Sequence, residues 1–162
     1  MRIGQGVDAH RLVAGRRLLL GGIEIPSERG LEGHSDGDVL LHAVASALLG
    51  ALGEGDLGRH FPSSDPALAG ISSRVIVERV AERVRAAGLA VGNVDATVVA
   101  QAPRLAPHLA KMQAAVADAL GVDPSRVNVK ATSTDGLGTL GRGEGIAALA
   151  VALLVAAGGP AA

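Results

Sequence analysis

Cysteine is absent from this 162-residue chain. Disulfides, thiolate metal sites and cysteine nucleophiles go with it, so any metal must be held by His, Asp or Glu. Trp and Tyr are also missing, and Phe61 is the sole Phe. The core must be built from Val, Leu, Ile and Ala, and little is left for stacking a nucleobase on an aromatic ring. Charge of neither sign dominates: 15 basic and 16 acidic residues leave a formal charge of −1. That balance argues against a generic nucleic-acid or membrane-surface binder. Long hydrophobic runs are missing too. The longest, residues 146–157, is about a dozen residues, where ~20 span a bilayer. Met1-Arg2-Ile3-Gly4-Gln5-Gly6 carries no apolar run of signal-peptide length, so a cytoplasmic protein is expected.

What is present suits one globular domain. The apolar fraction of 48% is far from that of disordered chains, and the length allows one sizeable core. Strands are expected over 2–12 and 17–25, the second interrupted by Gly21-Gly22 as a bulge or tight bend. A helix over 38–52 has Ser35, Asp36 or Asp38 to cap it. Residues 53–71 read as a loop with Gly and Pro punctuation. A second helix over 72–87 carries Val77, Val80 and Val84 as its apolar stripe. A strand over 94–100, a helix over 107–120, a strand over 127–132 and a glycine-rich turn over 133–145 follow. Residues 146–155 suit either a strand or a buried helix, and their length favours a strand buried on both faces. The expectation is a single α+β domain over 1–157, with a sheet packed against helices on one side, and a disordered tail over 158–162.

Several constellations carry chemistry. Asp8 and His10 are two apart on a strand and so share a face; the spacing suits a metal pair or a polar strand end. His42 lies among Leu40, Leu41, Ala43 and Val44, as a hydrogen-bonded core histidine or a ligand. Together the three would supply the usual complement of a catalytic zinc site, whose fourth position stays open. His34-Ser35-Asp36-Gly37-Asp38 opens the first helix, where unpaired N–H groups bind phosphate or are simply capped. Lys130-Ala131-Thr132-Ser133-Thr134-Asp135-Gly136 offers hydroxyls for phosphate and a carboxylate for magnesium, or a solvated turn. It lacks the spacing of a P-loop.

In that order along the chain, Gly6-Val7-Asp8-Ala9-His10, the run from His34 to Ala43, Gly92-Asn93-Val94-Asp95, Gln101-Ala102-Pro103, the run from Val127 to Thr132, and the run from Gly141 to Ala147 resemble the 2-C-methyl-D-erythritol 2,4-cyclodiphosphate synthases. The resemblance covers nearly the whole chain. It implies a homotrimer with active sites between subunits, acting on a cytidylyl methylerythritol phosphate. The 2-phosphate of 4-diphosphocytidyl-2-C-methyl-D-erythritol 2-phosphate would attack the β-phosphorus, CMP would leave, and a cyclic diphosphate would form for isoprenoid-precursor synthesis.

The resemblance also implies roles. Asp8, His10 and His42 would hold zinc, and Asp135 a magnesium or manganese ion bridging the diphosphate. His34 and Ser133 would stabilise the charge developing on the attacked phosphate. Ser35 and Thr134 would contact substrate; Asp56, Leu57, Gly58, Phe61 and Asp65 would hold the methylerythritol. Ala100, Pro103, Arg104, Leu105 and Ala106 would read cytosine through the backbone, with Thr132 beside them. Arg142 is counted with the substrate-binding set, and with Glu144 as a residue of the trimer core. This chain departs from many members at Asp135, where they carry Glu, and at Ser133, where they carry Thr. Several members also have aromatics where Val7 and Thr139 stand. Two rivals are a zinc phosphohydrolase, separable by its linear product, and a scaffold or nucleotide-binding module whose zinc is structural and four-coordinate.

Overall fold

The computed structural model describes residues 1–158. Its main sheet has five strands: β1 (Arg2–Ala14), β4 (Arg29–Leu31), β5 (Leu89–Val99), β6 (Val127–Thr132) and β7 (Gly145–Ala156), in the order β4-β1-β7-β5-β6. Only β5 and β6 are parallel. A separate hairpin joins β2 (Leu18–Leu20) to β3 (Ile23–Ile25). The long helices are α1 (Val39–Leu52), α3 (Ser73–Ala86) and α4 (Leu109–Leu120); α2 (Leu57–His60) and α5 (Gly138–Gly141) are single turns. Together they form the expected α+β domain. Residues 159–162 of the expected tail lie outside the described residues.

Alternation along the strands sorts the two faces. In β7, Ile146, Ala148, Ala150, Ala152 and Leu154 are buried, whereas Leu149 and Val151 are 39% and 45% exposed. In β1, Gly4 and Gly6 are buried while Ile3 and Val7 are exposed. The expectation that residues 146–155 are buried on both faces therefore fails within one chain. The helices cover one face only. The many alanines of β7 are explained by the same packing. Gly4 pairs with Ala152 and Gly6 with Ala150, making a row of minimal side chains. α1 settles directly on that row: a Cβ added to Gly4 would lie 2.0 Å from Ala47 O, and one added to Gly6 2.0 Å from Ala43 O. With the sheet beneath it and α3 alongside, α1 is buried nearly all round, as its uniformly apolar sequence requires.

Asp38 fixes where α1 begins. It caps the helix by accepting from Leu41 N–H, and accepts as well from Gly21 and Gly22 N–H at 2.9 and 2.7 Å. The two glycines form the two-residue β2–β3 turn with φ of 61° and 78°, which glycine adopts without strain. Burial pushes the Asp38 carboxyl up, against the three N–H groups that pull it down. Asp38→Ala would orphan the buried N–H groups of Gly21 and Leu41 and leave the exposed Gly22 N–H to water. At about 1–3 kcal/mol per unsatisfied buried group, a loss of about 3 kcal/mol or more is expected in urea denaturation. A loss under about 1 kcal/mol would show that the turn and the helix do not depend on this carboxylate.

Three differences from the sequence expectations have physical causes. β5 begins at Leu89 because Gly92 sits at a register shift against β7 instead of ending the strand. β4 is an Arg-Gly-Leu segment of no strand propensity, recruited by pairing with Leu12 to Ala14 of β1. Within the expected loop, Asp56 and Asp65 each cap a short helical turn, accepting from Arg59 and Ala67 N–H.

Candidate functional site

β1 and α1 run so that Gly4 meets Ala47 and Ala51, and Gly6 meets Ala43. Two more residues along the same strand face stands Asp8, at the level of the first turn of α1, where His42 lies. The glycine stripe thus brings the strand pair and the helix histidine together. Asp8 Oδ2 is 2.8 Å from His10 Nε2 and 2.8 Å from His42 Nδ1, and the two nitrogens are 3.2 Å apart. Among the described residues this is the one group of three or more His, Asp or Glu side chains able to share a metal ion.

The donor set fits a metal. Tetrahedral bonds of about 2.0–2.2 Å require ligand–ligand edges of about 3.3–3.6 Å, wider than these separations by less than about 1 Å. Each imidazole is also supported on its far side, as ligating histidines generally are. The backbone of Glu32 beside the His10 ring favours its charged form. His42 Nε2 lies 3.0 Å from both Ser35 Oγ and Ser73 Oγ. Burial pushes the Asp8 carboxyl up, but hydrogen bonds from His10 and His42 and their charge outweigh it and hold Asp8 far below the usual carboxylate range. The bond to Asp8 raises His10, against a smaller lowering by burial. Among the described residues no fourth such side chain joins the three, so a tetrahedral metal held there would keep one position open.

The cluster opens on a cleft of about 280 Å³ lined by His10, His34, Ser35, His42, Leu57, Gly58, Phe61, Ser63, Leu68, Ile71 and Ile76. His34 is exposed at its rim, on a loop clamped by Arg16, which donates to Gly33 O and Ser35 O. The Ser35 hydroxyl is turned inward to His42 and accepts from Gly37 N–H at 3.1 Å. A wider groove of about 350 Å³ at the other end of the sheet holds Arg85, Asp123 and Arg126 but, among the described residues, no converging ligands.

The remaining expected residues form a second group. Ala100 N–H donates to Thr132 O, Ser133 Oγ donates to Asp135, and Gly136 N–H donates to Gln101 Oε1. Pro103, Arg104, Leu105 and Ala106 follow on the same connection, and exposed Arg142 is paired with Glu144 at 2.6 Å. His10 pairs with Ile146, Ala147 with Val99, and Val99 with Thr132. Three strand spacings, about 14 Å, therefore part the metal cluster from Thr132. One chain does not unite the groups. Sequence reasoning missed Ser73, Ile71 and Ile76; Ser73 reads simply as a helix start, and nothing in its spacing signals contact with His42.

Comparison with known proteins identifies the family and matches the fold. The model of the YgbB family matches residues 1–155. A 2-C-methyl-D-erythritol 2,4-cyclodiphosphate synthase of Thiobacillus denitrificans is 62% identical over 95% of this chain and 96% of its own length. Among solved structures, the bifunctional IspDF of Campylobacter jejuni is 40% identical with a TM-score of 0.91, over 94% of this chain and 42% of that one. A 2C-methyl-D-erythritol-2,4-cyclodiphosphate synthase in a CDP-bound form is 35% identical with a TM-score of 0.87, over 95% of this chain and 100% of the other.

Proposed function

The chain belongs to the YgbB family, and from that premise we propose that its cleft cyclises 4-diphosphocytidyl-2-C-methyl-D-erythritol 2-phosphate to 2-C-methyl-D-erythritol 2,4-cyclodiphosphate. It is an isoprenoid-pathway synthase, placed by this reading in the cytoplasm; among the described residues no helix is long and apolar enough to cross a membrane. An oxygen of the 2-phosphate bonds to the β-phosphorus. The bond from that phosphorus to the oxygen bridging it to the α-phosphate breaks, and CMP leaves with the bridging oxygen. The observation that carries the reading is the convergence of Asp8 Oδ2, His10 Nε2 and His42 Nδ1 on one point of the cleft.

Phosphoryl transfer needs alignment and charge neutralisation more than covalent help. Asp8, His10 and His42 would hold zinc, which supplies Lewis-acid neutralisation of a β-phosphate oxygen. Asp135, exposed and hydrogen-bonded only to its own loop, would hold magnesium or manganese against the diphosphate. His34 donates to the attacked phosphate from the cleft rim, and Ser133 from the opposite side. Leu57, Gly58, Phe61, Ile71 and Ile76 wall the methylerythritol and exclude water, while Asp56 and Asp65 receive its hydroxyls at the edge. The backbone of residues 100–106 reads cytosine, with Thr132, Thr134 and Arg142 nearby. Fixing both ends of a flexible substrate removes most of the entropic cost of closing the ring.

The chain works as a homotrimer in this reading. A cleft of about 280 Å³ is small for a nucleotide-linked substrate, and the cytidine group lies about three strand spacings away. A neighbouring copy supplying its own residues 100–106 and 132–135 completes the site. Ile3, Val7, Leu149 and Val151, exposed on the helix-free face, are the surface to be covered. Sedimentation is expected to give three times the chain mass, with Val151→Asp dissociating the assembly and removing turnover together. An active monomer would end the trimer reading.

Phosphorus NMR of the cytidylyl substrate with zinc and magnesium tests the chemistry directly. Cyclic diphosphate and CMP in equal amounts are expected. A linear monophosphate would indicate the hydrolase and overturn the cyclase reading. Binding without product would indicate the nucleotide-binding module, against which the three-ligand cluster argues.

A further inference from the structure

We propose that Asp36 and Ser73 are positioning residues that keep His42 protonated on Nε2, so that Nδ1 is free to ligate a metal. The proposal rests on reading Asp8, His10 and His42 as the ligands, and goes beyond it to the groups that impose the required tautomer.

Ser73 has no solvent exposure, and its Oγ lies 3.0 Å from His42 Nε2. It is the first residue of α3, yet capping there is done by Ser72, which accepts from Arg74 N–H. The Ser73 hydroxyl is thus not needed for the helix. Instead it donates to Asp36 Oδ1, while Asp36 Oδ2 accepts from Ser73 N–H at 2.9 Å. Asp36 Oδ1 also accepts from Asp38 N–H at 3.2 Å, which anchors the carboxylate to the entry of α1.

A carboxylate offers only lone pairs, so the single hydroxyl proton of Ser73 points to Asp36. What Ser73 then presents to His42 is a lone pair, and the group that satisfies it is an Nε2–H. With Nε2 holding the one N–H of a neutral imidazole, Nδ1, 2.8 Å from Asp8 Oδ2, offers its lone pair to a metal ion that would lie between them. Ser35 Oγ, also 3.0 Å from Nε2, accepts from Gly37 N–H and lies 3.5 Å from Ser73 Oγ. By itself Ser35 could donate to Nε2 and force the opposite tautomer. The Asp36–Ser73 pair removes that ambiguity.

Zinc affinity, measured by competition with a chromophoric chelator on the folded full-length protein, tests this directly. Ser73→Ala is expected to weaken binding 10- to 100-fold, the usual effect of losing a group behind a ligating histidine. Asp36→Asn is expected to weaken it at least as much. Its amide must turn its oxygen to Ser73 N–H, which sets its NH2 against Ser73 Oγ and redirects the hydroxyl proton to His42. Ser73→Thr, which keeps the hydroxyl, is expected to return affinity to within about threefold of the parent. Circular dichroism confirms that each variant is folded. If folded Ser73→Ala and Asp36→Asn bind zinc like the parent, the pair merely ties α3 to α1, and the proposal falls. It falls equally if Ser73→Thr binds as weakly as Ser73→Ala. Asp8→Ala separates the two levels: if it binds zinc as tightly as the parent, the ligand assignment itself is wrong.

Discussion

His42→Ala is expected to lower kcat for the cyclisation by about a thousandfold or more while leaving a folded protein. A thousandfold corresponds to about 4 kcal/mol of transition-state stabilisation, within what a charge-neutralising group supplies in phosphoryl transfer. His42 contributes one of three converging donor atoms, so its removal leaves Asp8 and His10, too few for a catalytic site of this kind. The fold should tolerate the change. His42 sits in the first turn of a helix, where Ala is the better helix former. The hydrogen bonds lost to Ser35 and Ser73 are worth about 1 kcal/mol each. Phosphorus NMR for the product, paired with metal content after dialysis, reads both consequences. Retention of a tenth of parental kcat would remove His42 from the machinery.

Gly6→Ala is expected to have the largest effect on stability. Its Cβ would stand 2.0 Å from Ala43 O and 2.6 Å from Ala47 N, both backbone atoms of α1 that no rotamer change can move aside. Overpacking of cores typically costs about 1–3 kcal/mol, and a backbone clash belongs at or above the top of that range. Against a total stability of about 5–15 kcal/mol this is a large fraction. Lifting α1 off β1 would also part His42 from Asp8, so zinc affinity should fall with stability. Gly50 in the same helix provides the opposite case. An added Cβ there meets nothing closer than 3.5 Å, so Gly50→Ala should stabilise by about 0.5–1 kcal/mol through helix propensity. Paired urea denaturation curves test both signs. Equal midpoints for the two variants would refute the account of glycine as the spacer between strand and helix.

Much of this protein is legible in its sequence. The two-residue spacing of Asp8 and His10 puts both on one face of a strand, because side chains alternate with period two. The unbroken apolar run around His42 requires a buried helix. The Val77, Val80 and Val84 stripe marks the buried face of α3, and the three valines are buried as expected. The absence of cysteine confines any metal site to His, Asp and Glu. These are local properties, set by backbone geometry and residue chemistry within a few positions.

What the tertiary structure decided depends on distance through space. In the sequence Gly4 and Gly6 look like interruptions of a strand; in the fold they are the contact that seats α1 and delivers His42 to Asp8. Ser73 looks like the start of a helix, and its hydroxyl turns out to face a histidine 31 residues away. β4 exists only because the end of β1 offers it a partner. The separation of the metal cluster from residues 100–106 and 132–135 follows from strand order, which local pattern does not encode. Local pattern puts Asp8 and His10 on one strand and His42 on a helix. Only the packing of helix on sheet decided which of them meet, because that depends on how closely two backbones approach where side chains are missing.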